Sequence, residues 1–253
     1  MLVGKKVFIC ICLAAGFLVT ASIIQAQTVS PVIVEYREKA KSSLQIRNDQ
    51  LIPLDVVLEP HSFTVDREGE PHYGPLDPQV HLKLSTMSFR LAPQQTYTVF
   101  YEATADRLPV WFTIYATVSA AVPNLSQSGI KVAYQIPHTV YLLDKGPLPK
   151  EAIQCIHSGL PGADHAFDVE ISNQSRQFAR VQEVEVRSSS DKKTYPGFPF
   201  FPGTSRVMHL NWDGKGNPQR VILKFEHFHV EWPLTAAGEV SSLRTAKPEA
   251  VKQ

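Results

Sequence analysis

The segment from Ile130 to Leu143 (IKVAYQIPHTVYLL) constrains the fold more than any other part of the chain. Apolar and polar residues alternate in its first half, and the apolar face carries Ile130, Val132, Tyr134 and Ile136. A period of two over this length predicts a half-buried β-strand. Pro137 has no N–H to donate to a neighbouring strand, so we expect the segment to lie at the edge of a sheet.

An apolar row on an edge strand is unusual, because exposed strand edges pair with strands of other chains. Two interpretations follow from the pattern. In the first, the strand completes the sheet of another protein, with its backbone giving affinity and its alternate side chains giving selectivity. In the second, the apolar row faces the core of its own domain, as alternating apolar residues usually do.

Composition excludes some classes of function. The chain has 253 residues, 43% of them hydrophobic, and a net charge of +1. It can therefore bury a sizeable core, and it has no basic field that would attract nucleic acid. The 19 prolines are spread along the chain and favour many short strands and turns over long helices.

The N-terminus has the three parts of a secretory signal peptide. Lys5 and Lys6 precede an apolar run from Val7 to Ala21, and residues 24–26 form a cleavage site before Gln27. We expect residues 1–26 to be removed, leaving no stable membrane insertion; the alternative is an uncleaved membrane anchor. The mature chain then keeps one cysteine, Cys155, which rules out an internal disulfide and is expected to be a half-buried apolar residue.

The rest of the chain has the pattern of short strands and turns, and we predict an all-β fold. Val110–Val118 alternates strongly, with aromatic and β-branched residues. The charged stretch Val65–Pro78 indicates an exposed loop, and Val221–Trp232 indicates one long strand. Residues 234–253 are small and polar and predict a disordered tail.

Two local patterns each occur twice and in the same order. Leu44–Asn48 resembles Val169–Asn173 (apolar, x, Ile, x, Asn), and Pro93–Thr96 resembles Pro202–Ser205. The duplication predicts two immunoglobulin-like β-sandwich domains in tandem, residues 27–144 and 149–233, joined by a hinge near Lys145. The alternative is one extended β-domain.

The sequence contains none of the common catalytic motifs, and we expect no enzyme activity and no cofactor. His227, His229 and Glu231 fall at alternate positions and could hold a divalent metal on one face of a strand. The alternative is the polar face of a strand whose other face is apolar. We favour that alternative and predict no metal site.

The first half resembles the N-terminal domain of the PapD-like periplasmic pilus chaperones. The resemblance rests on the signal peptide and on the segments SLQIRN, FRLAPQQTYTVFY, LPVWFTIYATVSA and GIKVAYQIPHTVYLL. The second half fits the smaller second sandwich of that family only loosely.

The resemblance implies a periplasmic chaperone for pilus or fimbrial subunits, active in fimbrium biogenesis and the organisation of the cell wall. Such chaperones lend the last strand of their first domain to a pilin-like subunit that lacks one strand. They then deliver the subunit to an outer-membrane usher. On matching positions the donor residues are Ile130, Val132, Tyr134 and Ile136. The alternative is a non-catalytic secreted adhesion or scaffold module, because a fold does not fix a function.

The chain departs from the family where the family carries charges. An Arg on the first strand and a Lys on the last strand bind the subunit's terminal carboxylate in the family. The equivalent positions here are Ile33 and Thr139, and neither is charged. The resemblance therefore implies subunit capture without this charged anchor. A shifted register could bring Arg37, Lys39 or Lys41 into its place.

Overall fold

The computed structural model describes residues 28–121, 132–163 and 165–234. The predicted signal peptide, most of the predicted tail and Ile130 lie outside these ranges. Within them the chain is built from seventeen β-strands and a single 3-10 turn, Lys150–Ala152. No helix in the described part of the chain has the length and hydropathy needed to cross a membrane.

Ten strands precede residue 144 and form two sheets. One sheet has the order β1-β3-β8-β6, and the other has the order β2-β10-β9-β4-β5, with β7 pairing β4 as well. The strands are β1 (Thr28–Ser30), β2 (Ile33–Arg37), β3 (Ala40–Arg47), β4 (Leu54–Val65), β5 (Pro71–Pro75), β6 (Val80–Leu84), β7 (Ser88–Leu91), β8 (Thr96–Ala105), β9 (Val110–Ala120) and β10 (Ala133–Leu143).

Seven strands follow and form two smaller sheets, of order β11-β12-β15 and β14-β13-β16-β17. They are β11 (Ile153–Ser158), β12 (Ala166–Asn173), β13 (Ala179–Arg187), β14 (Lys192–Phe200), β15 (Ser205–Asn211), β16 (Arg220–Lys224) and β17 (His229–Pro233). The buried apolar residues of the two halves form separate cores, one between Val29 and Leu142 and one between Ile153 and Leu234. The prediction of two immunoglobulin-like sandwiches is confirmed.

Each sandwich contains a buried asparagine from the repeated sequence pattern, and its side chain binds the loop that follows the strand. The Asn48 side chain donates to the Ile52 carbonyl (2.9 Å) and accepts from the Gln50 amide (2.9 Å). The side chain of Asn173 makes the equivalent bonds, to the carbonyl four residues later (2.9 Å) and from the amide two residues later (3.1 Å). The repeat is therefore a structural device that ends one strand and ties down the loop after it.

Two local predictions were wrong. Val65–Pro78 is not a loop throughout, because Pro71–Pro75 forms β5 and pairs with the end of β4. Val221–Trp232 is not one strand: it forms the hairpin of β16 and β17, in which Lys224 lies opposite His229. The sequence did not reveal this turn because the residues at its two ends are apolar. They are Phe225 and Phe228, whose rings stack with centroids 4.7 Å apart.

The two sandwiches contact each other through a third apolar cluster. It contains Phe63, Tyr141, Leu143 and Phe201, all buried, with Trp111 and Phe178 packed against them. The rings of Trp111 and Phe201 are 4.6 Å apart. Polar contacts flank this cluster: Arg180 donates to Glu35 (2.6 Å), and the Arg67 carbonyl accepts from the Val207 amide (2.7 Å). The relative orientation of the sandwiches is thus fixed by packing as well as by the connecting segment.

Candidate functional site

The candidate site is the free half of β10. On one side β10 pairs with β9 along almost its whole length, from Ala133 to Leu142. On the other side it pairs with β2, in parallel, only from Thr139 to Leu143. In the described part of the chain no strand pairs with Ala133–His138 on that second side. The strand is therefore interior at its C-terminal end and an edge at its N-terminal end.

The backbone of this half presents alternate polar groups at the open edge. The Thr139 amide points toward β2, because it donates to the Val32 carbonyl (2.7 Å). Since every second residue of a strand directs its N–H and C=O to the same side, those of Ala133 and Gln135 point to the open edge. Pro137 falls in the same series and has no N–H, which explains why a proline is tolerated here.

The apolar row continues the inner face of β10 beyond the core. Cross-strand pairing places Tyr134 opposite Val118 and Ile136 opposite Ala116, two residues that are buried in the first core. Ile136 is partly buried and packs against that core. Val132 and Tyr134 remain 54% and 52% exposed. The row thus begins exposed and becomes part of the core of its own sandwich; Ile130 lies outside the described residues.

The two positions that the sequence resemblance matched to the charged anchor are neighbours. Ile33 on β2 lies directly opposite Thr139 on β10. The Thr139 hydroxyl lies 3.0 Å from the hydroxyl of Thr113, which is fully buried, so the two share a hydrogen bond. This end of the edge presents an exposed isoleucine and a hydroxyl that already has a partner.

Of the three cations that a shifted register could bring to the anchor, Arg37 and Lys41 have other partners, whereas Lys39 is exposed. Arg37 lies four residues beyond Ile33, and its guanidinium donates to the Asp144 carbonyl (2.6 Å). Lys41 lies in the other sheet and pairs with Glu102 (2.9 Å). Arg180, from the second sandwich, pairs with Glu35. A register shift that moves Arg37 or Lys41 into the anchor position has no support in these contacts.

A buried histidine on β10 was missed by the sequence analysis. His138 is fully buried, and its Nδ1 lies 2.6 Å from the Pro31 carbonyl oxygen. Its Nε2 lies 3.0 Å from the Tyr101 hydroxyl. Burial lowers the pKa of His138, and the bond to Pro31 only partly opposes this. The partners are 107 and 37 residues away in sequence, so no local pattern could have indicated the contact.

The three residues considered for a metal, His227, His229 and Glu231, do not lie on one strand. His227 lies in the turn between β16 and β17, whereas His229 and Glu231 lie on β17. The described residues contain no group of three His, Cys, Asp or Glu side chains placed to hold a metal ion.

Cys155 is half-buried, as expected, and burial raises the pKa of its thiol to about 11.

No protein-family model matches the sequence, and no curated protein is similar to it. Solved structures do match the fold. A class 5 fimbriae chaperone, CfaA, is 12% identical with a TM-score of 0.54, covering 83% of this chain and 99% of that one. The YadV chaperone is 12% identical with a TM-score of 0.53, covering 83% and 100%.

A third match is the Salmonella enterica SafB chaperone, solved in complex with the SafA pilin. It is 12% identical, with a TM-score of 0.50, and the match covers 85% of this chain and 99% of that one. Each match spans both sandwiches and nearly the whole of the other chain. The protein therefore has the two-sandwich fold of the fimbrial chaperones.

Proposed function

We propose that this protein is a chaperone that binds pilin-like subunits by lending them the free half of β10. The observation that carries the proposal is the open edge at Ala133–His138, which is flanked by the exposed apolar side chains of Val132 and Tyr134. A soluble protein rarely leaves such an edge uncovered, because it is a template for strand addition. A subunit whose own sheet lacks one strand is the partner that fits it.

The proposed interface combines two contributions. The backbone groups of Ala133 and Gln135 pair with a strand of the subunit, which gives affinity independent of sequence. Val132 and Tyr134 enter pockets of the incomplete sandwich and give selectivity, together with Ile130. Each side chain of this kind contributes about 1.5–3 kcal/mol when fully buried. Ile136, already packed against its own core, serves as the rigid base of the row.

The remaining parts of the proposal follow from the same interpretation. The chain acts outside the inner membrane, in the periplasm, after removal of residues 1–26, and it passes subunits to an outer-membrane usher. It has no catalytic role and needs no metal or cofactor. We place the boundary between its domains between Asp144 and Pro149, because the first core ends at Leu142 and Leu148 packs against the second core.

Amide exchange tests the proposal residue by residue. The mature protein is compared free and in complex with a co-expressed pilin-like subunit from the same genome. Strand addition at the open edge slows exchange at Ala133 and Gln135, while the Tyr134 amide, which already faces β9, changes little. An adhesion or scaffold module that binds through another surface would leave all three amides unchanged, and that result would refute the donor-strand role.

A further inference from the structure

The open edge of β10 ends at one buried side chain. His138 follows Pro137, the last residue before the pairing with β2, and precedes Thr139, whose amide donates to Val32, the residue directly before β2. Its carbonyl partner, Pro31, lies in the link through which the chain leaves β1 in one sheet and enters β2 in the other. We propose that His138 is a positioning residue. Its hydrogen bond to the Pro31 carbonyl keeps β2 paired with β10 from Thr139 onward, a state that we call seated, and so fixes the point at which the open edge ends.

The direction of each hydrogen bond at His138 follows from its partners. A carbonyl oxygen can only accept, so Nδ1 carries the proton and donates to Pro31. Nε2 is then unprotonated and accepts the proton of the Tyr101 hydroxyl. The Tyr101 oxygen lies 3.4 Å from the Tyr36 hydroxyl on β2, which can donate to it. One side chain thereby links the β1–β2 crossover, β10, β8 and β2.

The same geometry makes the seat of β2 sensitive to acid. Among the described residues, the titratable groups around His138 are two tyrosine hydroxyls: Tyr101 from β8 bonds the ring, and Tyr36 from β2 bonds Tyr101. Strand β9 presents Ile114, and β1 has no titratable side chain. None of these groups supplies a negative charge at neutral pH. Protonation of the ring would therefore place an uncompensated charge in the core, and burial accordingly lowers the pKa of His138.

The sign of the pH dependence follows. When β2 is unseated, the ring is exposed to water and has the ordinary histidine pKa of about 6.5. Because the seated state has the lower pKa, the unseated state binds more protons as the pH falls below that value. Acidification therefore favours unseating, by up to about tenfold at one unit below the ordinary pKa. The consequence for subunits, an open edge of variable length, rests on the proposed function. The pairing of β2 with β10 does not.

The test uses the free mature protein and reads exchange at the Thr139 amide. His138→Asn keeps an amide nitrogen near the place of Nδ1 and should leave protection at pH 7.5 close to that of the wild type. His138→Gln places its polar atoms nearer the place of Nε2 and should speed Thr139 exchange roughly fivefold to tenfold, because one buried hydrogen bond is lost. Tyr101→Phe removes the other hydrogen bond of His138 together with the contact between the Tyr101 and Tyr36 hydroxyls. It leaves the bond to Pro31 intact, so it is the control and should leave Thr139 protected.

A pH series of the wild type keeps the test decisive even where a variant does not fold. Corrected for intrinsic exchange rates, Thr139 should lose protection between pH 7.5 and 5.5, whereas Tyr134, bonded to β9, should not; His138→Asn should abolish the difference. Equal acceleration by Tyr101→Phe and His138→Gln, or a Thr139 protection that does not depend on pH, would overturn the proposal. Because no subunit is present, a failure of the chaperone hypothesis leaves these results unaffected.

Discussion

Ile33 and Thr139 lie directly opposite each other in the parallel pair of β2 and β10. The sequence resemblance matches them to an Arg and a Lys of the pilus chaperones. Here they offer a partner only an exposed isoleucine and a hydroxyl that already bonds Thr113. A charge-assisted bond to a carboxylate is about twice as strong as a neutral one. The loss of both charges should therefore change how the end of a subunit is held.

We predict that subunit binding depends little on the subunit's terminal carboxylate. Amidation of the subunit's C-terminus removes its negative charge, and we expect the dissociation constant to change by less than about threefold, because neither Ile33 nor Thr139 carries a charge that could bind it. Thr139→Val is the matched change on the chaperone side and should have a similarly small effect. Abolition of binding on amidation would contradict this prediction and show that another cation of the chain serves as the anchor.

The contact between the sandwiches predicts coupled unfolding. Phe201 is buried against Trp111 and Phe178, with ring centroids 4.6 and 5.5 Å away. Phe201→Ala should cost about 3–5 kcal/mol of stability at that contact and should split the calorimetric transition into two. Phe100→Ala is the control, because Phe100 is 63% exposed. A single unchanged transition in Phe201→Ala would show that the cluster does not couple the sandwiches.

The paired asparagines predict matched effects in the two halves. Asn48→Ala and Asn173→Ala each leave loop carbonyl and amide groups without a partner, which costs about 1–3 kcal/mol. Urea unfolding of the two variants should show similar losses, and Gln174→Ala, on an exposed side chain, should show little. If only one variant is destabilised, the repeated pattern is not the same device in both sandwiches.

These asparagines also show how far the sequence could go. Their pattern could be seen because it is local and repeated, and the alternation of Val110–Val118 could be seen because its inner residues are buried in one core. The β16–β17 turn was missed because its flanking phenylalanines imitate a strand. The contact between the sandwiches and the role of His138 join residues far apart in sequence, so only the fold could bring them together.

Cys155 should be unreactive in the folded protein. Burial raises the pKa of its thiol to about 11, so almost none of it is thiolate, the nucleophilic form, at pH 7.5. We expect slow labelling by a soluble disulfide reagent in native buffer and rapid labelling in denaturant. Fast native labelling would mean that β11, the strand that carries Cys155, opens readily.

The central claim is that the exposed start of the β10 row faces a partner rather than the core of this chain. Val132 is 54% exposed, whereas Val140, farther along the same face, is fully buried. Val140→Asp, the control, buries an unpaired charge and should collapse the first sandwich.

Val132→Asp is the decisive variant, and its melting temperature and its retention of a co-expressed pilin-like subunit are measured together. We predict a melting temperature within about 2 °C of the wild type, because a half-exposed surface substitution usually costs less than about 0.5 kcal/mol, and complete loss of the subunit. A strongly destabilised Val132→Asp, or a stable one that still retains its subunit, would contradict the donor-strand account.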